Sequence, residues 1–258
     1  MTRSRPGFIP LALVGIAAGV LSGLFGIGGG TLIVPALALW LGMNHRLAAG
    51  TSVAAILPTA IVGAVSYAVP GNVDWIAAIL LAVGIIAGAQ LGSHLLDKLP
   101  LKALQWGFMV FLAVMAVSLW FVVPQRGDQI ELGLLSGAGL VFTGLFIGVL
   151  SGLLGVGGGV VVVPVLMFFF GSSDLIAKGT SLLMMIPGSL SGTFANLRRQ
   201  NVDLRAAAIV GIAASICVPF SSLFAAWIDP FWGNVAFSLY LVFILGQMLY
   251  RQLRPKRG

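Results

Sequence analysis

Charge is scarce in this chain. Of its 258 residues only 8% are Asp, Glu, Lys or Arg, against a usual share of about a quarter. Apolar runs of near-spanning length recur from Phe8 to Tyr250, so the bilayer is the solvent. No stretch is long or polar enough to form a separate soluble domain. Acids are scarcer than bases, 7 against 14, which leaves a net charge of +7. Nucleic-acid binding would need a basic patch interleaved with aromatics in a soluble segment, and none is present. The excess reads instead as Lys and Arg in cytoplasmic loops. The single cysteine, Cys217, lies in an apolar run, which excludes an intramolecular disulfide and implies no redox role. Two histidines and a few scattered acids give no ligand cluster, no carboxylate pair and no nucleophile beside a base. The reading is therefore no metal, no cofactor and no enzyme.

Glycine is the opposite case, with 35 residues, and its placement is periodic. The stretch from Gly19 to Leu37 returns from Gly148 to Leu166, with 13 of 19 positions identical at an offset of 129. The offset persists to Asp74: Gly50-Thr51-Ser52 returns as Gly179-Thr180-Ser181, Pro58 as Pro187, and Asn72-Val73-Asp74 as Asn201-Val202-Asp203. An internal repeat of this kind fixes the architecture before any local reading does. It also bears on the N-terminus, where Arg3 and Arg5 precede an apolar run in the manner of a signal peptide. Gly15, Gly19 and Gly23 share a ladder with Gly144, Gly148 and Gly152, so the segment reads as a retained helix.

Hydropathy places helices at about 8–25, 31–41, 51–69, 75–96 and 103–123. The second half repeats them at about 133–154, 160–170, 180–197, 204–228 and 231–250. The second helix of each half is too short to span alone at ~1.5 Å per residue. The expected fold is all-α and polytopic, with repeats at residues 1–125 and 126–258. Each repeat is a glycine-broken helical hairpin plus three spanning helices. A hairpin returns to its starting side, so each repeat crosses an odd number of times and the two are inverted, as in many secondary transporters. With both termini cytoplasmic, 12 Lys and Arg lie inside and only Arg126 and Lys178 outside. Fusing each broken pair into one crossing gives parallel repeats and a poorer 10 against 4.

Each glycine stretch has two parts. The ridge at four-residue spacing lets helix backbones approach closely in lipid; turned outward, it would also permit a homodimer. The runs Gly28-Gly29-Gly30 and Gly157-Gly158-Gly159 are different, since three glycines cost about 1 kcal/mol each within a helix relative to Ala. Broken backbone at membrane depth is tolerated where it is packed in protein or lines a cavity. The helices that follow are expected to start at Thr31 and Val160, with Pro35 and Pro164 in the first turn, where a missing N–H costs little. Free N–H groups at such a start attract anions, each helix end contributing about 0.3–1 kcal/mol and up to ~2 when partly buried. A tightly packed hairpin tip is the plainer reading of the same glycines. A nucleotide-binding loop is excluded, because no Lys follows the glycines.

The polar minority adds Ser22 and Ser151 before the glycines, Thr51-Ser52 and Thr180-Ser181 on the next helix of each half, and Asn196. Polar side chains in lipid face the bundle interior or a wet cavity, although Ser and Thr also bond their own helix backbone. Asp74 and Asp203 directly precede apolar helices and read as caps.

The duplicated pattern S-G-x-x-G-x-G-G-G-x-x-x-x-P-x-L, with Gly-Thr-Ser after each short helix, resembles the sulfite exporter TauE/SafE family of bacterial permeases over about residues 9–250. The resemblance implies an inner-membrane carrier of sulfite, sulfoacetate or other sulfur-containing anions. The expected site is then Ser22, Gly28, Gly29, Gly30, Thr31, Thr51, Ser52, Ser151, Gly157, Gly158, Gly159, Thr180, Ser181 and Asn196. No Arg or Lys is expected at mid-membrane depth, so dipoles and hydroxyls would meet the charge. The expected partners are a small anion and the lipid bilayer. A scaffold whose glycines serve packing alone is the alternative.

Overall fold

The computed structural model describes residues 7–95, 101–121, 130, 133–154 and 158–253; the side chains of 89–95, 101–105, 150–154 and 251–253 lie outside the description. Among the described residues ten α-helices follow one another: α1 Phe8–Phe25, α2 Gly30–Pro35, α3 His45–Ala68, α4 Trp75–Leu95, α5 Leu101–Ser118, α6 Leu134–Leu154, α7 Gly159–Phe169, α8 Asp174–Arg198, α9 Leu204–Trp227 and α10 Pro230–Leu253. Among the described residues there is no strand. Four of these helices (α1, α3, α9 and the Pro230–Tyr250 part of α10) are long and apolar enough to cross a membrane. Large apolar side chains such as Phe220, Leu223 and Phe243 are exposed on their flanks. Trp40, Trp75, Trp227 and Trp232 stand exposed at or near helix ends, where tryptophan favours the membrane interface. The chain is an all-α, multi-pass membrane protein.

Capping explains where the helices begin. Asp74 Oδ1 accepts from Ala77 N and Asp203 Oδ1 from Ala206 N, as the sequence suggested. Asn44 and Ser173 cap α3 and α8 in the same way, which the sequence reading overlooked. Those two helices therefore start at His45 and Asp174, well before Thr51 and Thr180, and charged residues assigned to loops are helical. Pro35 is also corrected: α2 starts at Gly30, so Pro35 is its sixth residue and lies inside the helix. Proline supplies no N–H to the carbonyl of Thr31, one turn back. The chain widens to a π turn over Ala36–Trp40, closed by Leu41 N donating to Ala36 O at 3.2 Å. In α7 Pro164 takes the same position.

Packing follows the glycines. A Cβ added at Gly15 would lie 2.5 Å from Val210 O, and one at Gly19 would lie 2.3 Å from Ala214 O. At Gly23 the added atom would be 2.7 Å from Val218 O. The contacts advance together along both helices, so α1 and α9 run parallel with backbones in touch. This ridge is used inside the protein and is not an outward dimer face. Between α4 and α6 the same role falls to Gly84 and Gly144, with added Cβ atoms 2.2 Å from Val141 O and 2.3 Å from Leu81 O. Small residues let dispersion and weak polar contacts act over a whole helix length, which is what drives association in lipid.

Helices α3 and α8 cross at the centre and run antiparallel. Gly50, near the start of α3, packs on Asn201 O just past the end of α8; Gly179, near the start of α8, packs on Asn72 O just past the end of α3. Along the crossing Gly63 meets Leu182 and Gly192 meets Val53. Each contact is the other displaced by the repeat.

Candidate functional site

The two glycine turns meet. A Cβ at Gly159 would lie 2.7 Å from Ile27 Cα, 3.0 Å from Gly26 O and 2.1 Å from Met185 Cε; one at Gly28 would lie 2.7 Å from Met185 Sδ. Met185 on α8 is thus wedged against both turns, and no side chain larger than hydrogen fits at either glycine without displacing it.

The first turn is built from left-handed residues. Gly26 ends α1 at φ 70°, its N–H donating to Ser22 O, and Gly28 and Gly29 follow at φ 70° and 75°. An L side chain is strained in that region, whereas glycine is not. The Gly29 carbonyl then accepts from Leu32 and Ile33, starting α2. Among the described residues the N–H groups of Gly28, Gly29 and Gly30 find no acceptor. In the second turn the Gly158 carbonyl accepts from Val161 and Val162 in the same manner. Gly158 itself, at φ −69° and ψ −16°, is right-handed. Gly157 and the side chain of Ser151 lie outside the described residues.

The hydroxyls divide into two groups. Ser22, Ser52 and Ser181 are fully buried or nearly so, and their Oγ atoms have no hydrogen-bond partner. Thr193 Oγ1 is likewise buried without a partner. A buried unpaired hydroxyl costs about 1–3 kcal/mol, so four of them among the described residues call for a reason. The hydroxyls of Thr31, Thr51 and Thr180 are engaged. Thr51 Oγ1 accepts from Asp203 N at 3.0 Å and Thr180 Oγ1 from Asp74 N at 2.9 Å. These reciprocal bonds tie each crossing helix to the chain entering α9 or α4. Thr31 Oγ1 shares a hydrogen bond with Tyr240 OH of α10. Asn196 Nδ2 donates to Gly192 O of its own helix.

Several residues at the turns were missed by sequence reasoning. Tyr67 OH donates to Gly23 O, and Phe25 stacks on Phe237 and Tyr240 at ring distances of 5.2 and 5.4 Å. Lys178, taken for an exposed loop residue, is 4% exposed on α8. Its Nζ donates to Asp174 Oδ2 at 3.0 Å. The sequence placed Lys178 among the residues outside the bundle; it is instead buried within the fold. The Asp-x-x-x-Lys spacing was a signal, since residues four apart pair on a helix, but it required knowing that α8 begins at Asp174. Among the described residues no group of His, Cys, Asp and Glu could hold a metal ion.

Comparison with known proteins gives one answer. The family described as sulfite exporter TauE/SafE matches residues 1–119 and 140–258. A probable membrane transporter protein of Haemophilus influenzae is 28% identical over 242 residues, covering 91% of this chain and 81% of its own. The probable membrane transporter protein YunE of Bacillus subtilis is 25% identical, covering 76% and 80%. One from Xylella fastidiosa is 31% identical, covering 74% and 73%. With a match across both glycine-broken halves, the chain belongs to the sulfite exporter TauE/SafE family.

Proposed function

We propose that this protein carries small sulfur-containing anions, such as sulfite, sulfoacetate or related organosulfonates, across the bacterial inner membrane by alternating access. The observation that carries the proposal is the meeting of two glycine turns beside buried hydroxyls that bond to nothing in the protein. Ser22 lies one turn before Gly26; Ser181 lies on α8 between Lys178 and Met185, which both touch the first turn. Backbone N–H groups and neutral hydroxyls suit an anion that must bind weakly and leave again. The family match supports the sulfur chemistry.

In this reading residues 1–125 and 126–258 are inverted repeats. The antiparallel crossing of α3 and α8 supports it, as do the reciprocal Thr51 and Thr180 bonds. The starts of α3 and α9 and the end of α8 fall on one face, with Arg46, Arg198, Arg199 and Arg205. The positive-inside rule makes that face cytoplasmic, together with both termini. A Cys217→Ala protein carrying Arg46→Cys or Asp229→Cys then labels from opposite sides of the membrane; labelling from the same side would sink the inverted arrangement.

The packing of Gly15, Gly19 and Gly23 on α9 is what a scaffold would also show. Thermal stability of the purified protein separates the two. A carrier is stabilised selectively by sulfite, taurine or sulfoacetate over chloride, and a scaffold by none of them.

A further inference from the structure

The second half carries a charge pair that the first half lacks. Asp174 and Lys178 stand one turn apart on α8, 2% and 4% exposed, with 3.0 Å between Oδ2 and Nζ. At the equivalent positions of the first half are His45, which is exposed, and Ala49. The pair is therefore not needed to build this kind of helix. Nor is it needed to start α8, which Ser173 caps. An ammonium has three donors, and among the described residues Asp174 is the one hydrogen-bond acceptor Lys178 reaches.

Its position is specific. A Cβ at Gly26 would lie 2.5 Å from Lys178 Cα and 2.8 Å from Lys178 O, so the first glycine turn rests on the Lys178 backbone. Ser181 follows on the same helix face, fully buried and with its hydroxyl unpartnered. Met185, two turns on from Lys178, touches both turns. Residues three, four and seven apart share a helix face. One stripe of α8 therefore offers the first turn a buried cation and a buried free hydroxyl.

The geometry points to Lys178 as the fixed cation of the anion path. The substrate's oxyanion binds its ammonium beside the Gly26–Gly29 turn with Ser181 as a second donor, and Asp174 neutralises the ammonium when the substrate is absent. The assignment rests on the anion-carrier reading and adds to it a residue and a ligand class, compact oxyanions such as sulfite or a sulfonate headgroup. A buried charge is tolerated only while paired. Exchange of one anion for another at Lys178 keeps it paired throughout. Competition from Asp174 also keeps binding reversible.

The test titrates sulfite and sulfoacetate against chloride at matched ionic strength, reading thermal stability of the purified full-length protein. Lys178→Gln alone would remove the Lys178 partner of Asp174, so the informative variants are Asp174→Asn and the neutral pair Asp174→Asn/Lys178→Gln. Removing the competitor in Asp174→Asn is expected to tighten binding of the stabilising anion by about fivefold or more, and the neutral pair to weaken it by at least about tenfold. Wild-type affinity in the folded neutral pair overturns the assignment and leaves the carrier reading standing. So does an Asp174→Asn affinity no tighter than wild type. A wild-type protein that no anion of the panel stabilises over chloride overturns both.

Discussion

The two halves of this molecule share a frame and differ in chemistry. Among the described residues contacts that set the frame recur in pairs: Gly50 on Asn201 and Gly179 on Asn72, Gly63 on Leu182 and Gly192 on Val53, Gly29 on Ala18 and Gly158 on Ile147. Among the polar residues Thr51, Ser52 and Asp74 keep their counterparts in Thr180, Ser181 and Asp203, but others break the match. Thr31 bonds Tyr240 in the first half, where the second has Val160 and Phe111. Asp174 pairs with Lys178 in the second half, where the first has His45 and Ala49. Gly29 is left-handed and Gly158 right-handed. Duplication preserved what backbone contact demands, because a glycine against a carbonyl leaves no room for another residue. The Thr31 hydroxyl and the Asp174–Lys178 charges stand outside that constraint, and they differ between the halves.

The largest effect is expected where the frame is tightest. Gly19→Leu would force side-chain atoms into the Ala214 backbone, 2.3 Å from the position of Cβ. It should remove folded, monodisperse protein altogether, beyond the 1–3 kcal/mol usual for overpacking. Gly246→Leu, with nothing within 4 Å of its Cβ position, should migrate and melt as wild type on size exclusion and thermal denaturation. Equal behaviour of the two would show that the glycine ridge does not hold α1 on α9.

Next is the difference between the turns. Gly29→Leu combines a positive φ with a Cβ position 3.0 Å from Ala18 Cβ. Transport should be lost while the protein still inserts, which surface labelling together with flux would register. Full flux in this variant would refute a close backbone approach at the first turn.

A smaller effect tests the hydroxyl pair. Converting the first half toward the second with Thr31→Val, Tyr240→Phe or both should destabilise by about 1 kcal/mol in each single variant, and by little more in the double. Additive losses in a thermal double-mutant cycle would show that the two hydroxyls do not act together. The smallest contrast concerns the caps. Asp74→Ala and Asp203→Ala should each lose roughly 1 kcal/mol, and by equal amounts, since both cap an N–H three residues on. A large inequality would locate an asymmetry of the frame itself.

Much of the fold was legible in the sequence. The ends of α1, α4, α7 and α9 lie within one residue of the hydropathy pattern, because glycine and aspartate punctuate them. The starts of α3 and α8 were not legible: His45-Arg46 and Lys178 look like loop, and the capping roles of Asn44 and Ser173 appear only with the backbone in place. The consequence reached the site, since misplacing the start of α8 hid the buried Lys178. The turns were legible as glycine runs, and their mutual contact was not. That contact depends on Met185 and on Gly26, Ile27 and Gly159, which belong to different halves of the chain. The engagement of Thr51 and Thr180 by Asp203 and Asp74 was likewise invisible, although both pairs stand in the repeat.

The central claim, an anion site at the paired turns, is tested most directly by flux into liposomes containing the purified protein. Wild type is predicted to carry labelled sulfite or sulfoacetate faster than protein-free liposomes, with unlabelled sulfite competing and chloride not, and Gly29→Leu to carry none. Flux indistinguishable from protein-free liposomes for every sulfur-containing anion tried, or equal flux in Gly29→Leu, would contradict it.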